Sequence, residues 1–374
     1  MSKKFIFTII TTLIVAIGAG IVIFYARGYT ISTKERRIVG TGIITITSEP
    51  DSASVFVDGH LTTATNATIS TLPSKTYTIK IAKEGFIPWE RQVEVKEGLV
   101  TELKITLFPS IPTIYPLTYS GVVNPILSPD SSKLAFVVTG GKKSGVWVWT
   151  MANNQPISFA RSSEPHQIAA STFADFSKAT FKWSPDSKQV LASLPGNNYL
   201  LNADSLNSEP RDITPILDAT LQGWDEDVKD KDVSRIETIK DSKLRKIASE
   251  SALLKWSPDE TKFMSFEPAV KKQPTGSTET LSGLKVYDLV DGKQYSLPEA
   301  KNHIWLPDSR HIILVDDNSI SVSDFDGTNK AVLYAGKFDK GYVFPWPDSS
   351  RLVIVSSVPT PTASEPNLFG INLK

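Results

Sequence analysis

Short apolar runs with a period of two follow one another along most of the chain. Ile44-Ile46, Val55-Val57, Tyr77-Ile79-Ile81, Val93-Val95 and Leu103-Ile105-Leu107 alternate with polar residues between Gly, Pro, Asp or Asn boundaries. Successive strand side chains point to opposite faces, so the pattern predicts half-buried strands. Their brevity predicts a small antiparallel sandwich over residues 42–109. From residue 110 onward a different unit recurs: an apolar approach, Pro-Asp, two or three polar residues, then an apolar run. Its copies are Pro129-Asp130, Pro185-Asp186, Pro258-Asp259, Pro307-Asp308 and Pro347-Asp348, and two of them read "KWSPD". The intervals of 56, 73, 49 and 40 residues are too irregular for a solenoid and suit a propeller with loop insertions.

Pro presets φ for a tight turn and Asp bonds the backbone two residues on, so each copy predicts a hairpin corner. Read this way, the five aspartates are structural turn residues. Each hairpin is followed by a third strand-like run, beginning at Gly145, Asn198, Leu284, Ser319 and Asn367. Four are followed by a fourth, from Gln155, Pro210, Lys293 and Lys330. Four strands per repeat is a propeller blade. The last repeat lacks a fourth strand of its own, and Thr113–Thr118 is a strand-like run without a blade. Pairing the two closes a ring of five blades; a cryptic sixth stays open. Two insertions interrupt the ring: a polar loop at Arg161–Lys178 and a segment at 215–252. The latter is helix-like from about Val233, with Ile236, Ile239 and Ile247 on one side, and is expected to lie over one blade or dock a partner.

One stretch breaks the pattern. Phe5 to Ala26 is 22 residues without a charge, enough for a helix to cross a bilayer core of ~20 residues. The apolar run continues past Ala16-Ile17-Gly18, which favours an uncleaved anchor over a signal peptide. Lys3 and Lys4 precede it, whereas Arg27, Lys34, Arg36 and Arg37 follow, a count that leans towards a cytoplasmic C-terminus. Large following domains cross largely regardless of charge, and the expectation is that they lie outside. The predicted organisation is all-β: an anchor at 1–27, a linker at 28–41, the sandwich at 42–109 and the propeller at 110–374.

Composition narrows the chemistry. Forty basic residues balance 40 acidic ones, which argues against a nucleic-acid partner held by phosphate neutralisation. The absence of cysteine excludes disulfides, thiolate zinc sites and thiol catalysis. His60, His166, His303 and His311 form no metal-pair spacing, and Asp225, Asp227, Asp230 and Asp232 lack the glycine and terminal glutamate of a calcium loop. No Gly-x-Ser-x-Gly or nucleotide loop occurs, so no catalytic residue, metal or cofactor is expected.

Ser48-Glu49-Pro50, Ala53 to Gly59, Leu72-Pro73 and Lys83-Glu84-Gly85-Phe86 resemble the PEGA domain, a small sandwich of prokaryotic cell-surface proteins. Its naming tetrapeptide stands here as Pro50-Asp51-Ser52-Ala53, with Ser52 in place of glycine. The Pro-Asp repeats resemble the WD-like β-propeller repeat of TolB-type proteins, whose Ser-Pro-Asp-Gly is kept as far as Asp at Ser128, Ser184 and Ser257. Ser131, Ser187, Glu260, Ser309 and Ser349 occupy its glycine. The resemblances imply a membrane-anchored cell-envelope protein that binds a protein or glycan without catalysis. The alternative is a propeller lyase or hydrolase acting on surface glycans or peptides. Carboxylates, His and Arg clustered at a channel mouth would favour the enzyme, and an apolar or aromatic face the binder.

Overall fold

The computed structural model describes residues 3–26, 29–32, 37–151, 164–251, 253–266, 283–357 and 365–374. The chain divides into two units, residues 1–111 with 374, and residues 112–373.

In the first unit, helix α1 covers Lys3–Ala26. Its described apolar side chains are exposed, among them Phe7, Leu13, Ile14, Val15 and Val22. The expected span at Phe5–Ala26 is not returned as such: among the described residues no helix is long and apolar enough to cross a membrane. The expected linker at 28–41 is also corrected. Strands β1 (Tyr29–Ser32) and β2 (Arg37–Glu49) pair antiparallel there, so the described residues of this stretch belong to the sheet. The sandwich continues through β3 (Ser54–Val57), β4 (His60–Ala64), β5 (Ala67–Pro73), β6 (Thr76–Ala82), β7 (Trp89–Glu94) and β8 (Val100–Thr106). One sheet joins β1, β2 and β5, with β8 parallel to β2; the other runs β4-β3-β6-β7. Ile44, Ile46, Val55, Ile79, Ile81 and Ile105 fill the core from alternate positions. Asp58 and Gly59 both have positive φ, which is the two-residue hairpin turn that an Asp-Gly pair favours.

The second unit opens with β9 (Ile114–Pro116) and continues as four-stranded meanders. Blade 1 is β10 (Val123–Leu127), β11 (Lys133–Val138), β12 (Gly145–Thr150) and β13 (His166–Ala170). Blade 2 is β14 (Thr180–Trp183), β15 (Gln189–Leu194), β16 (Asn197–Asn202) and β17 (Arg211–Asp212). Blade 3 is β18 (Lys255–Trp256), β19 (Lys262–Phe266), β20 (Leu284–Asp288) and β21 (Gln294–Ser296). Blade 4 is β22 (Asn302–Trp305), β23 (His311–Val315), β24 (Ser319–Asp324) and β25 (Ala331–Ala335). Blade 5 is β26 (Val343–Pro345), β27 (Arg351–Ser356) and β28 (Asn367–Asn372), and β9 is its fourth strand.

The ring closes where the edges demanded it. Tyr115 lies opposite Gly370 and Ile114 opposite Ile371, so each unpaired edge satisfies the other. The Tyr115 ring lies directly over Gly370, where a Cβ would stand 2.6 Å from it and push the ring aside. Phe344, Trp346, Val353 and Leu368 of blade 5 share one buried cluster with Leu134, Phe136 and Trp149 of blade 1. Among the described residues, five four-stranded sheets make the propeller.

Two expectations need correction. The fourth strand of blade 1 is His166–Ala170, inside the segment expected to be a polar loop. The run expected there from Gln155 lies outside the described residues. The insertion after blade 2 is helical from Leu217, not Val233: α2 is Leu217–Thr238 and α3 is Ser242–Glu250, N-capped by Asp241. It spans two blades. Leu217, Leu221 and Trp224 pack on Leu191, Leu200 and Ile213 of blade 2, while Ile239, Leu244 and Ala248 pack with Phe263 and Tyr287 of blade 3.

Candidate functional site

The five Pro-Asp corners are built alike. In each, the residue after Asp turns its N–H back to the carbonyl of the residue before Pro: Ser131 to Ser128 at 2.8 Å, Ser187 to Ser184 at 3.0 Å, Glu260 to Ser257 at 2.9 Å, Ser309 to Leu306 at 3.0 Å and Ser349 to Trp346 at 2.8 Å. Those five residues have φ of 58° or 59°, the left-handed region that a glycine adopts without strain. Each Asp then accepts the N–H two residues on: Asp130 from Ser132, Asp186 from Lys188, Asp259 from Thr261, Asp308 from Arg310 and Asp348 from Ser350.

The serines of Ser-Pro-Asp complete the corner. Ser128, Ser184 and Ser257 donate to the carboxylates of Asp130, Asp186 and Asp259 at 2.6–2.7 Å. Burial works against the charge of Asp130 and Asp259, and these hydroxyl and amide donors outweigh it, holding both carboxyls below their ordinary range. The Ser184 bond lowers Asp186 likewise. Blades 4 and 5 have Leu306 and Trp346 where the first three have serine, and in blade 4 His311 takes over. Its Nδ1 lies 2.6 Å from Asp308 Oδ2 and its Nε2 3.4 Å from Asp324 Oδ1. Burial opposes the charge on Asp308, yet His311 keeps its pKa low.

The corners also link neighbouring blades. Ser187 Oγ accepts the Asp130 N–H at 3.2 Å and Ser309 Oγ accepts the Asp259 N–H at 3.0 Å. Trp183 and Trp305 donate their indole N–H to Ile126 and Lys255 of the preceding blade, at 3.1 and 3.0 Å. Between blades 2 and 3, where α2 and α3 intervene, Trp256 Nε1 is buried and has no partner among the described residues.

The corners of blades 1, 3, 4 and 5 converge on a central cavity of about 820 Å³. Pro129, Pro258, Pro307, Pro345 and Pro347 line it together with Trp256 and Trp305. The corner of blade 2, Pro185-Asp186, is not among its walls; Lys231, Asp232 and Arg235 of α2 stand there instead. Arg235 is committed to Glu260 at 2.7 Å and to Asp232 at 3.5 Å. Lys255 and His303 complete the floor, with His303 Nε2 2.9 Å from the Pro298 carbonyl. Burial lowers the pKa of both side chains. Lys255 opens the second "KWSPD", whereas His303 and α2 carry no motif. The insertion before the second "KWSPD" is the feature of the sequence that points to them.

The other histidines stand apart: His60 is exposed beside the Asp58-Gly59 turn, and His166 Nε2 lies 3.0 Å from the Ala203 carbonyl. Among the described residues no three His, Asp or Glu side chains gather as a metal site.

No curated protein matches the chain. TolB from Acinetobacter baumannii aligns at 14% identity with a TM-score of 0.23, over 81% of this chain and 61% of that one. This chain thus spans 61% of that TolB's length. A putative TolB from Agrobacterium tumefaciens gives 14% and 0.23 over 69% and 89%, and a eukaryotic initiation factor 14% and 0.21 over 81% and 72%. Such scores add no weight to the propeller, which stands on its own strand pairing. Residues 41–111 match the PEGA domain model, and this sandwich is a PEGA domain.

Proposed function

We propose that the chain is a membrane-anchored cell-envelope protein, without catalysis of its own, whose propeller receives a protein partner at the central cavity. The observation that carries this reading is the cavity wall. Five prolines and two tryptophans face an opening of about 820 Å³, while Arg235, Asp232, Asp130 and His303 in its wall are held by neighbouring groups. Rigid apolar and aromatic surfaces bind with little ordering cost, whereas a catalytic group needs a free, poised proton site. The anchor in this reading is α1, whose uncharged stretch and exposed apolar side chains suit lipid.

Photo-crosslinking in intact cells tests it. A benzophenone amino acid at Pro129 or Lys231, both at the cavity, should trap one discrete protein. The same group at Val332, 54% exposed on the outer strand of blade 4, should not. No adduct at the cavity, or the same adduct at Val332, contradicts the proposal.

A further inference from the structure

Lys255 and His303 line two cavities at once. The second, of about 620 Å³, lies at the seam of blades 3 and 4, with apolar walls from Leu253, Leu284, Leu297 and Ala300. Lys255 Nζ donates to Asn302 Oδ1 at 3.1 Å and to the His303 carbonyl at 3.0 Å. Both acceptors are neutral, and an ammonium has three N–H groups, so one remains. Among the described residues this half-buried cation forms no ion pair, and burial alone shifts its pKa. A cation withdrawn from water without a counter-charge is a cost that an anion alongside would remove.

We propose that the seam cavity binds a ligand with an apolar body and a single carboxylate, which accepts the remaining Lys255 N–H. The volume falls in the ordinary range for small-molecule sites. Glu299 and Asp316 line the same cavity and its other lysine, Lys301, is engaged by Asp317, so a second negative charge on the ligand would be repelled. The site shares Lys255 and His303 with the central cavity, but its test needs no protein partner.

The full chain in nanodiscs, titrated calorimetrically with 3-phenylpropionate, 3-phenylpropan-1-ol and benzylmalonate, tests this. The monoanion should bind at least about tenfold more tightly than the neutral alcohol or the dianion, since a hydrogen bond to a charged group is at stake. Lys255→Met should abolish that preference. Limited acetylation read by mass spectrometry needs no variant: 3-phenylpropionate should protect Lys255 and leave Lys182, the same position in the other "KWSPD", unchanged. Equal affinity for acid and alcohol, no heat from the acid at millimolar concentration, or unprotected Lys255 would each overturn the proposal.

Discussion

Six residues show how much of a motif is backbone geometry. Ser52 in the PEGA tetrapeptide, and Ser131, Ser187, Glu260, Ser309 and Ser349 in the repeats, stand where the motifs they resemble have glycine. All six keep φ between 55° and 59°. The turns were therefore legible despite the substitutions, because Pro and Asp alone specify the corner. What the sequence concealed was the second use of two serines, whose hydroxyls reach the next blade. This separates the sites experimentally. Ser52→Gly and Ser349→Gly should raise stability by roughly 0.5–1 kcal/mol, as relief of left-handed strain outweighs the added unfolded-state freedom. Ser187→Gly and Ser309→Gly should gain nothing or lose stability, because each deletes an interblade acceptor. Urea midpoints decide it; equal shifts at all four sites would refute the distinction. His303 makes a second residue-scale prediction. Burial, aided by the Lys255 charge and opposed by the Pro298 carbonyl, holds its pKa below the ordinary 6.5. The unfolded chain then binds the proton more readily, so stability is present above about pH 6.5 and falls as pH drops below it. His303→Gln should flatten the slope that sets in below about pH 6.5. An unchanged slope in thermal melts would show that this histidine is not the cause.

At the scale of elements, strands with alternating or wholly apolar runs were readable, and the errors have identifiable causes. "HQIAA" at His166–Ala170 offers one buried pair, Ile168 and Ala169, too little pattern to distinguish from a loop. Helix α2 is rich in charged residues and has no fully buried one. Leu217, Leu221, Trp224 and Val228 do recur at helical spacing before Val233, but the acidic and basic run around them masks the stripe, so the expected start fell one stripe too late. The closing strand was readable by a different route, from the arithmetic of edges: one blade lacked a strand and one strand lacked a blade. It follows that deleting residues 367–374 should destabilise the entire ring, since it removes the partner of both β27 and β9. Hydrogen exchange should then rise in β23 of blade 4 as well as in blade 5. Protection retained in β23 would mean that the blades unfold separately.

At the scale of the molecule, the order of PEGA domain and propeller could be read along the chain, but the cavity could not. Its walls come from four blades and an insertion, between Leu127 and Pro347, and no local pattern shows that these converge. The proposed role requires that both β units face away from the cytoplasm, and the charges around α1 do not decide it. Protease applied to intact cells, with the outer layers opened but the inner membrane sealed, measures it directly. The account predicts that residues beyond about Arg27 are digested while a short α1 fragment survives in the membrane. Complete protection until lysis would place the propeller inside the cell and contradict the envelope role.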